Sequence, residues 1–142
     1  MKTKWIKYNN TIFMKKWNIT LFPFIFLRGK NKEDVINRIG VKKYNRLVNH
    51  EMIHRKQQKG LFMFGVLLAA IIAITTNSFI LTVLGHFIYY VIYILNWVIN
   101  LFRYGNKAYV NIAMEKEASM NNNDYEYIKK MKYFSWIRYL LK

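Results

Sequence analysis

The residues best suited to chemistry are two histidines and a glutamate, which stand together in the segment His50-Glu51-Met52-Ile53-His54. Residues four apart on a helix share one face, one turn above another, so both imidazoles can reach a single zinc ion at roughly 2.0–2.1 Å. A glutamate beside the first histidine can take a proton from a water molecule next to such an ion. The spacing therefore predicts a zinc site with His50 and His54 as ligands and Glu51 as the general base.

The third ligand must come from elsewhere in the chain, because a catalytic zinc site usually has three protein ligands and one open position. The chain contains no cysteine, so the ligand is a histidine or a carboxylate. His86 is the one other histidine, but it lies deep in an apolar stretch, where we expect a neutral histidine hydrogen-bonded inside a helical hairpin. The carboxylates that follow this stretch remain open as candidates: Glu115, Glu117, Asp124 and Glu126.

The composition indicates a membrane protein. The 142 residues include 23 Lys and Arg against 7 Asp and Glu, a net charge of +16, which is typical of proteins that meet nucleic acids or anionic membranes. From Leu61 to Phe102 there is no Lys, Arg, Asp or Glu, and this run is about twice the roughly 20 residues that one membrane span requires. No nucleic-acid-binding fingerprint accompanies the charge. We therefore expect membrane lipid, and no nucleic acid, as a partner.

The segment pattern predicts a mainly α, membrane-associated single domain that covers residues 1–142, with a short extended segment near the N-terminus. In chain order the predicted segments are a basic interfacial segment (1–17), an edge strand or extended segment (Thr20–Leu27), a helix (Lys32–Ile39), the zinc-site helix (41–59), an apolar hairpin (61–102), and a third-ligand helix followed by a basic, aromatic, amphipathic C-terminal helix (108–142).

The apolar hairpin is expected to cross the membrane twice. Thr75–Ser78 is the one polar cluster in the stretch and predicts the turn between spans at about Leu61–Ile74 and Phe79–Phe102. The first span is short for a full crossing, and we expect the preceding helix to extend it backwards.

The order of the site residues along the chain constrains this topology. The histidines precede the apolar stretch and the candidate carboxylates follow it, so they can meet only if the chain crosses an even number of times or never. Residues 1–60 carry 15 Lys and Arg against 3 acids, and residues 103–142 carry 8 against 4. The positive-inside rule then predicts a site that faces the cytoplasm.

Five segments together resemble a known group of enzymes: Phe22–Phe26, Asn49–His54, Gln57-Gln58, Met114–Ala118 and Trp136–Tyr139. They are similar to the gluzincin metalloproteases, and more narrowly to short bacterial membrane proteins in which N-H-E-x-I-H-x-x-Q-Q precedes apolar segments and an E-x-E-A-Y motif. The resemblance covers roughly residues 19–140, and H-E-x-x-H is its most specific element.

The resemblance implies that Glu115 is the third zinc ligand, with Glu117 as the alternative. On a helix the two side chains point about 200° apart, so only one is expected to bind. Ser119 stands where membrane gluzincins have an aspartate that supports a ligand histidine, and a serine cannot supply that negative charge.

The function expected from these features is zinc-dependent hydrolysis at the cytoplasmic face of a membrane. The resemblance implies hydrolysis of peptide bonds, with a peptide or protein as substrate, at the bacterial cytoplasmic membrane. Two alternatives remain: a non-catalytic membrane or scaffold protein with a degenerate metal site, and a zinc hydrolase that acts on something other than peptides. The sequence does not indicate the oligomeric state, the substrate or the biological role.

Overall fold

The computed structural model describes residues 3–9, 18–76, 78, 80, 83 and 87–140. These residues form a mainly helical protein with one small sheet, so the predicted fold class is confirmed in this general form. The strands are β1 (Ile6–Asn9), β2 (Ile19–Leu21) and β3 (Phe24–Arg28). The α-helices are α1 (Lys32–Ile39), α2 (Val41–Thr76), α3 (Ile88–Tyr104), α4 (Ala113–Asn121) and α5 (Tyr127–Lys130). Short 3-10 turns lie at Thr3–Trp5, Gly105–Lys107, Tyr109–Asn111 and Ser135–Tyr139.

The chain divides into two compact units, each built from two separate segments. The first unit contains Met1–Lys56 and Ala118–Met131, and the second contains Gln57–Glu117 and Lys132–Lys142. The boundaries between them fall inside α2 and inside α4, so one helix contributes to both units in each case.

The sheet belongs to the first unit and has the strand order β1-β3-β2. β1 pairs with β3 in parallel, and β2 pairs with β3 in antiparallel fashion, with Thr20 opposite Ile25. The prediction of a single extended segment at Thr20–Leu27 is therefore wrong: the segment contains a hairpin, and its turn is Phe22 and the cis-linked Pro23. Proline has no N–H to donate to a sheet, which places it at the turn between two strands.

Every second side chain of β3 points into the core of the first unit. Ile25 and Leu27 are fully buried, and they pack with Val35 of α1 and with Tyr44 and Val48 of α2. Side chains two apart on a strand point to the same face, so Phe24, Phe26 and Arg28 point away from this core. α1 and the first part of α2 therefore cover the inner face of the sheet.

The helix α1 has the predicted boundaries, with a cap at each end. The Asn31 Oδ1 accepts a hydrogen bond from the Asp34 N–H at 2.8 Å, which satisfies one of the free donors of the first turn. Gly40 ends the helix with φ of 81°, a left-handed conformation that glycine adopts without strain.

The helix α2 is continuous for 36 residues, as expected from a zinc-site helix that extends directly into the apolar stretch. At a rise of 1.5 Å per residue it is about 54 Å long. It is the one helix among the described residues that is long and apolar enough to cross a membrane. Its apolar part exposes large side chains, including Leu67 at 61% and Ile74 at 85%.

Two spans were predicted, but among the described residues only α2 is long and apolar enough to cross a membrane. The helix α3 has 17 residues and begins at Ile88, nine residues after the predicted start at Phe79. Residues 77, 79, 81–82 and 84–86, and with them His86, lie outside the described part of the chain. Residues 1–2 and 10–17 of the predicted basic interfacial segment lie outside it as well.

The predicted C-terminal amphipathic helix is wrong. Its residues form the four-residue helix α5, an extended Met131 and the 3-10 turn at Ser135–Tyr139. Tertiary contacts override the helical pattern here. Met131 packs with Ile53 and Ala118 in the first unit, whereas Trp136 packs with Leu61, Tyr89 and Met114 in the second.

Candidate metal centre

The two histidines of the motif lie one turn apart on α2, and their imidazoles converge. The Nε2 atoms of His50 and His54 are 3.0 Å apart, and the ring centroids are 4.7 Å apart. Two nitrogens bound tetrahedrally to one zinc ion at about 2.0–2.1 Å would lie about 3.3 Å apart. The observed separation is close to this value, so the pair can chelate one ion with little movement.

Glu115 completes a group of three possible ligands. The ligand atoms of His50, His54 and Glu115 all lie within 4.8 Å of one another, and among the described residues this is the one group of its kind. His54 and Glu115 are buried, and His50 is half-buried. Two imidazoles and one carboxylate are donors that suit zinc, and three protein ligands leave a position for water or substrate.

The helix α4, which carries Glu115, is positioned by polar side chains of α3. The Asn96 Oδ1 accepts a hydrogen bond from the Ala113 N–H at 2.7 Å, at the first residue of α4. The Asn100 side chain donates to the carbonyl of Asn111 at 2.8 Å, just before α4 begins. The Tyr93 hydroxyl donates to the Glu115 Oε1 at 2.9 Å. The backbone and the carboxylate are therefore both fixed from the same neighbouring helix.

Glu117 is engaged elsewhere. Its side chain is fully buried, its Oε2 accepts from the Gln57 Nε2 at 2.8 Å, and its Oε1 accepts from the Ser135 hydroxyl. The same Gln57 amide also donates to the Met114 carbonyl at 3.1 Å. Both carboxylate oxygens thus have protein donors, which suits a structural role within the second unit.

The other two acidic candidates, Asp124 and Glu126, form interactions within the segment that follows α4. The Asp124 Oδ1 accepts from the Glu126 N–H at 2.9 Å, and Glu126 forms an exposed ion pair with Lys129 at 2.6 Å. Neither residue belongs to the group of possible metal ligands among the described residues.

Glu51 is buried beside the histidines, and a hydroxyl from the sheet holds its carboxylate. The Thr20 Oγ1 lies 2.7 Å from the Glu51 Oε2 and 3.2 Å from the Glu51 carbonyl oxygen. Thr20 is itself buried, because it points to the inner face of the sheet while its neighbours Ile19 and Leu21 point outward. Of the residues that the structure describes, Thr20 is the one side chain seen to donate to this carboxylate.

Asn49 anchors the segment that follows α4. Its Nδ2 lies 2.9 Å from the Asn122 carbonyl, 3.1 Å from that of Asp124 and 3.4 Å from that of Asn121. These carbonyls lie at and beyond the C-terminal end of α4, where the helix has no further backbone N–H groups to donate to them. The residue just before His50 therefore fixes the chain that leaves α4.

Five of these positions were not predicted from the sequence: Thr20, Tyr93, Asn96, Asn100 and Ser135. A signal was available for three of them. Tyr93, Asn96 and Asn100 carry polar groups inside a charge-free apolar run, and a polar group in such a run needs a hydrogen-bond partner, so it indicates a functional or packing role. Thr20 and Ser135 carry no such signal, since threonine is common in strands and serine in turns.

Comparisons with protein-family models, with curated proteins and with solved structures gave no match to this chain.

Proposed function

We propose that this protein is a zinc-dependent hydrolase that cleaves peptide bonds at the cytoplasmic face of a membrane, as the gluzincin resemblance implies. The observation that carries the proposal is the pair of imidazole nitrogens 3.0 Å apart on α2, directly beside a buried and hydrogen-bonded carboxylate. Metal-assisted hydrolysis requires side chains that bind the metal ion and a base beside it, and the two imidazoles and the Glu51 carboxylate can supply these.

In this proposal His50, His54 and Glu115 hold the ion. A zinc ion at such a site supplies Lewis acidity, which lowers the pKa of a water molecule and polarises a substrate carbonyl. The Tyr93 hydroxyl fixes the orientation of the Glu115 carboxylate by donating to its Oε1. Glu117 is not a ligand in this arrangement, because Gln57 and Ser135 use its oxygens.

Glu51 acts as the general base and later as the proton donor to the leaving amine. Thr20 is a positioning residue: its hydroxyl binds the Oε2, which leaves the Oε1 to accept the proton of the attacking water. A carboxylate held in this way keeps one orientation through proton transfer, so less reorganisation is needed during the reaction.

Exposed apolar side chains support the membrane part of the proposal. In α3 these include Ile94 and Leu95 at 56% exposure and Phe102 at 86%, and α2 shows the same pattern. A soluble protein rarely exposes so many large apolar groups together. We propose that α2 and the region ending in α3 form the two crossings, with the basic flanks in the cytoplasm.

A peptide substrate is proposed to bind in an extended form along β2. This strand lies at the edge of the described sheet and carries Thr20, the partner of Glu51. An added strand would place its backbone close to the general base, and main-chain hydrogen bonds would hold it without regard to its side chains.

The proposal is tested by metal analysis and peptide hydrolysis on full-length protein in detergent or bilayers. Wild type should contain about one zinc per chain and should hydrolyse unstructured peptides. Glu51→Gln should keep the zinc and lose hydrolysis, whereas His54→Ala should lose both. Absence of zinc from the wild type, or undiminished hydrolysis by Glu51→Gln, would refute it. Full zinc without peptide hydrolysis would instead favour a metal-binding membrane protein or a different substrate.

A further inference from the structure

The outer face of the small sheet has an unusual composition for a surface in contact with water. Phe24 and Phe26 point outward from β3, and Ile19 and Leu21 point outward from β2, with exposures of 38% for Ile19 and 45% for Leu21. Sheets that face water on one side normally carry polar residues there. An apolar edge strand in water is also prone to pair with other chains.

Cations border this apolar surface. Lys7 of β1 lies opposite Phe26 in the sheet, and its Nζ is 5.6 Å from the centroid of the Phe24 ring. Arg28 follows on the same face of β3 by alternation. Trp5 packs against Phe24 with ring centroids 6.2 Å apart, and the Lys4 Nζ is 5.3 Å from the Trp5 ring. Among the described residues, none of these cations is seen in an ion pair with an acid.

We propose that the outer face of the sheet, formed by Ile19, Leu21, Phe24, Phe26, Lys7 and Arg28, docks into the headgroup layer of an anionic bilayer. Aromatic rings and short apolar side chains suit the boundary between headgroups and acyl chains, and ammonium and guanidinium groups meet lipid phosphates there. Each such cation near an anionic surface adds to the attraction.

The positive charge and the aliphatic side chains of this face favour an anionic bilayer over a second copy of the chain or a nucleic acid. A second copy of the chain packed face to face would bring together two faces that each carry Lys7 and Arg28, and like charges at an interface are unfavourable. A nucleic acid would match the cations and could stack on the Phe24 and Phe26 rings, but it would leave the aliphatic side chains of Ile19 and Leu21 without an apolar partner. An anionic bilayer satisfies both the cations and the aliphatic side chains.

The test uses the absence of cysteine from the chain, which makes any introduced thiol unique. Leu21→Cys and Ile19→Cys in the full-length protein are labelled with a fluorophore and reconstituted into phosphatidylcholine bilayers containing phosphatidylglycerol. Asn37→Cys is the control, because Asn37 is an exposed residue of α1, on the other side of the sheet. Quenching is measured with aqueous iodide and with lipids that carry a nitroxide near the headgroup.

We expect the labels at positions 19 and 21 to be quenched severalfold more by the nitroxide lipid, and severalfold less by iodide, than the label at position 37. Lys7→Glu combined with Arg28→Glu should reverse this pattern, as should omission of phosphatidylglycerol. Equal iodide quenching at positions 21 and 37 would overturn the proposal. Protection from iodide without quenching by the nitroxide lipid would also overturn it, because it would identify a protein partner on this face. None of these outcomes depends on metal binding or hydrolysis.

Discussion

At the scale of single residues, the candidate site depends on hydrogen bonds that hold carboxylates in place. Thr20 fixes Glu51, and Tyr93 fixes Glu115, in each case through a hydroxyl less than 3 Å from a carboxylate oxygen. A hydrogen bond to a charged group contributes about 1.5–3 kcal/mol, roughly twice a neutral one. The two carboxylates proposed to act as base and ligand are therefore oriented by neutral groups, which leave their negative charge intact.

Replacement of Thr20 tests the positioning of the general base. Thr20→Val keeps the shape of the side chain and removes the donor, so kcat should fall by about 10–100-fold, the equivalent of one hydrogen bond to a carboxylate. Thr20→Ser keeps the hydroxyl and should retain most of the activity. Both variants should keep their zinc. Equal losses in the two variants would indicate a packing role for Thr20 instead.

The two glutamates of α4 form a matched pair for a test of the metal ligands. Glu115→Gln should lower the zinc affinity by more than roughly 100-fold, because a neutral amide is a poor zinc ligand. Glu117→Gln should retain zinc but unfold at a lower temperature. The carboxylate accepts from Gln57 and Ser135 with two different oxygens, whereas a glutamine side chain has only one acceptor oxygen. Zinc content and thermal unfolding of both variants are measured side by side. The opposite distribution of zinc would make Glu117 the ligand.

At the scale of elements, the sequence predicted helices better than it predicted the sheet or the site partners. The helix α2 was predictable because residues 41–59 lack Gly and Pro and lead into a charge-free run. The hairpin around Pro23 was missed because both strands are apolar without clear alternation, so nothing marked where one ended. The C-terminal helix was overpredicted because its amphipathic pattern gave no hint that Met131 and Trp136 pack in different cores. Such contacts are nonlocal, and spacing along the chain does not encode them.

The contact between β1 and α2 predicts a change of stability with pH. Burial raises the pKa of Tyr8 above its ordinary value, and the hydrogen bond with the Tyr44 hydroxyl at 2.8 Å raises it further. A raised pKa means that folding favours the neutral phenol, so this contribution is complete below about pH 10 and is lost as the pH rises above it. In alkaline unfolding experiments, Tyr8→Phe should therefore lose less stability above pH 10 than wild type. Tyr125→Phe, at an exposed residue, should behave like wild type.

Close packing in the second unit makes Gly60 of α2 sensitive to substitution. A Cβ atom at this position would lie 2.7 Å from the Tyr133 Cβ and 3.0 Å from the Tyr133 ring. Gly60→Ala should therefore lower the unfolding temperature, although alanine in a helix normally stabilises by about 1 kcal/mol relative to glycine. Asn45→Ala, at an exposed position of the same helix, serves as the control and should have little effect. An increase in stability with Gly60→Ala would contradict the close approach of Tyr133.

At the scale of the whole molecule, the arrangement of charges and apolar residues predicts a topology. The chain has basic segments on both sides of its charge-free run, and two crossings would place both segments in the cytoplasm. Two crossings would also allow the proposed ligand set to meet, because the histidines and Glu115 lie on opposite sides of that run in the sequence.

Single introduced thiols can report this topology. Cysteines at positions 45 and 123 should react with an impermeant reagent from the cytoplasmic side of the membrane, and a cysteine at position 78, in the predicted turn, should react only from the other side. Oriented vesicles and whole cells give the two accessibilities. Reaction of positions 78 and 123 from one side and of position 45 from the other would mean a single crossing, which would separate Glu115 from the histidines and refute the zinc proposal.

The length of α2 would determine how far the proposed metal site lies from the bilayer surface. The helix is about 54 Å long, whereas the hydrocarbon layer is about 30 Å thick, so in the proposed arrangement a substantial part would project beyond the bilayer. His54 lies seven positions before Leu61 of the apolar stretch, which corresponds to a rise of about 10 Å along the helix. In the proposed arrangement this rise sets the height of the site above the bilayer. Substrates anchored in the same bilayer would then be cut at a set distance from their own point of entry, whatever their sequence.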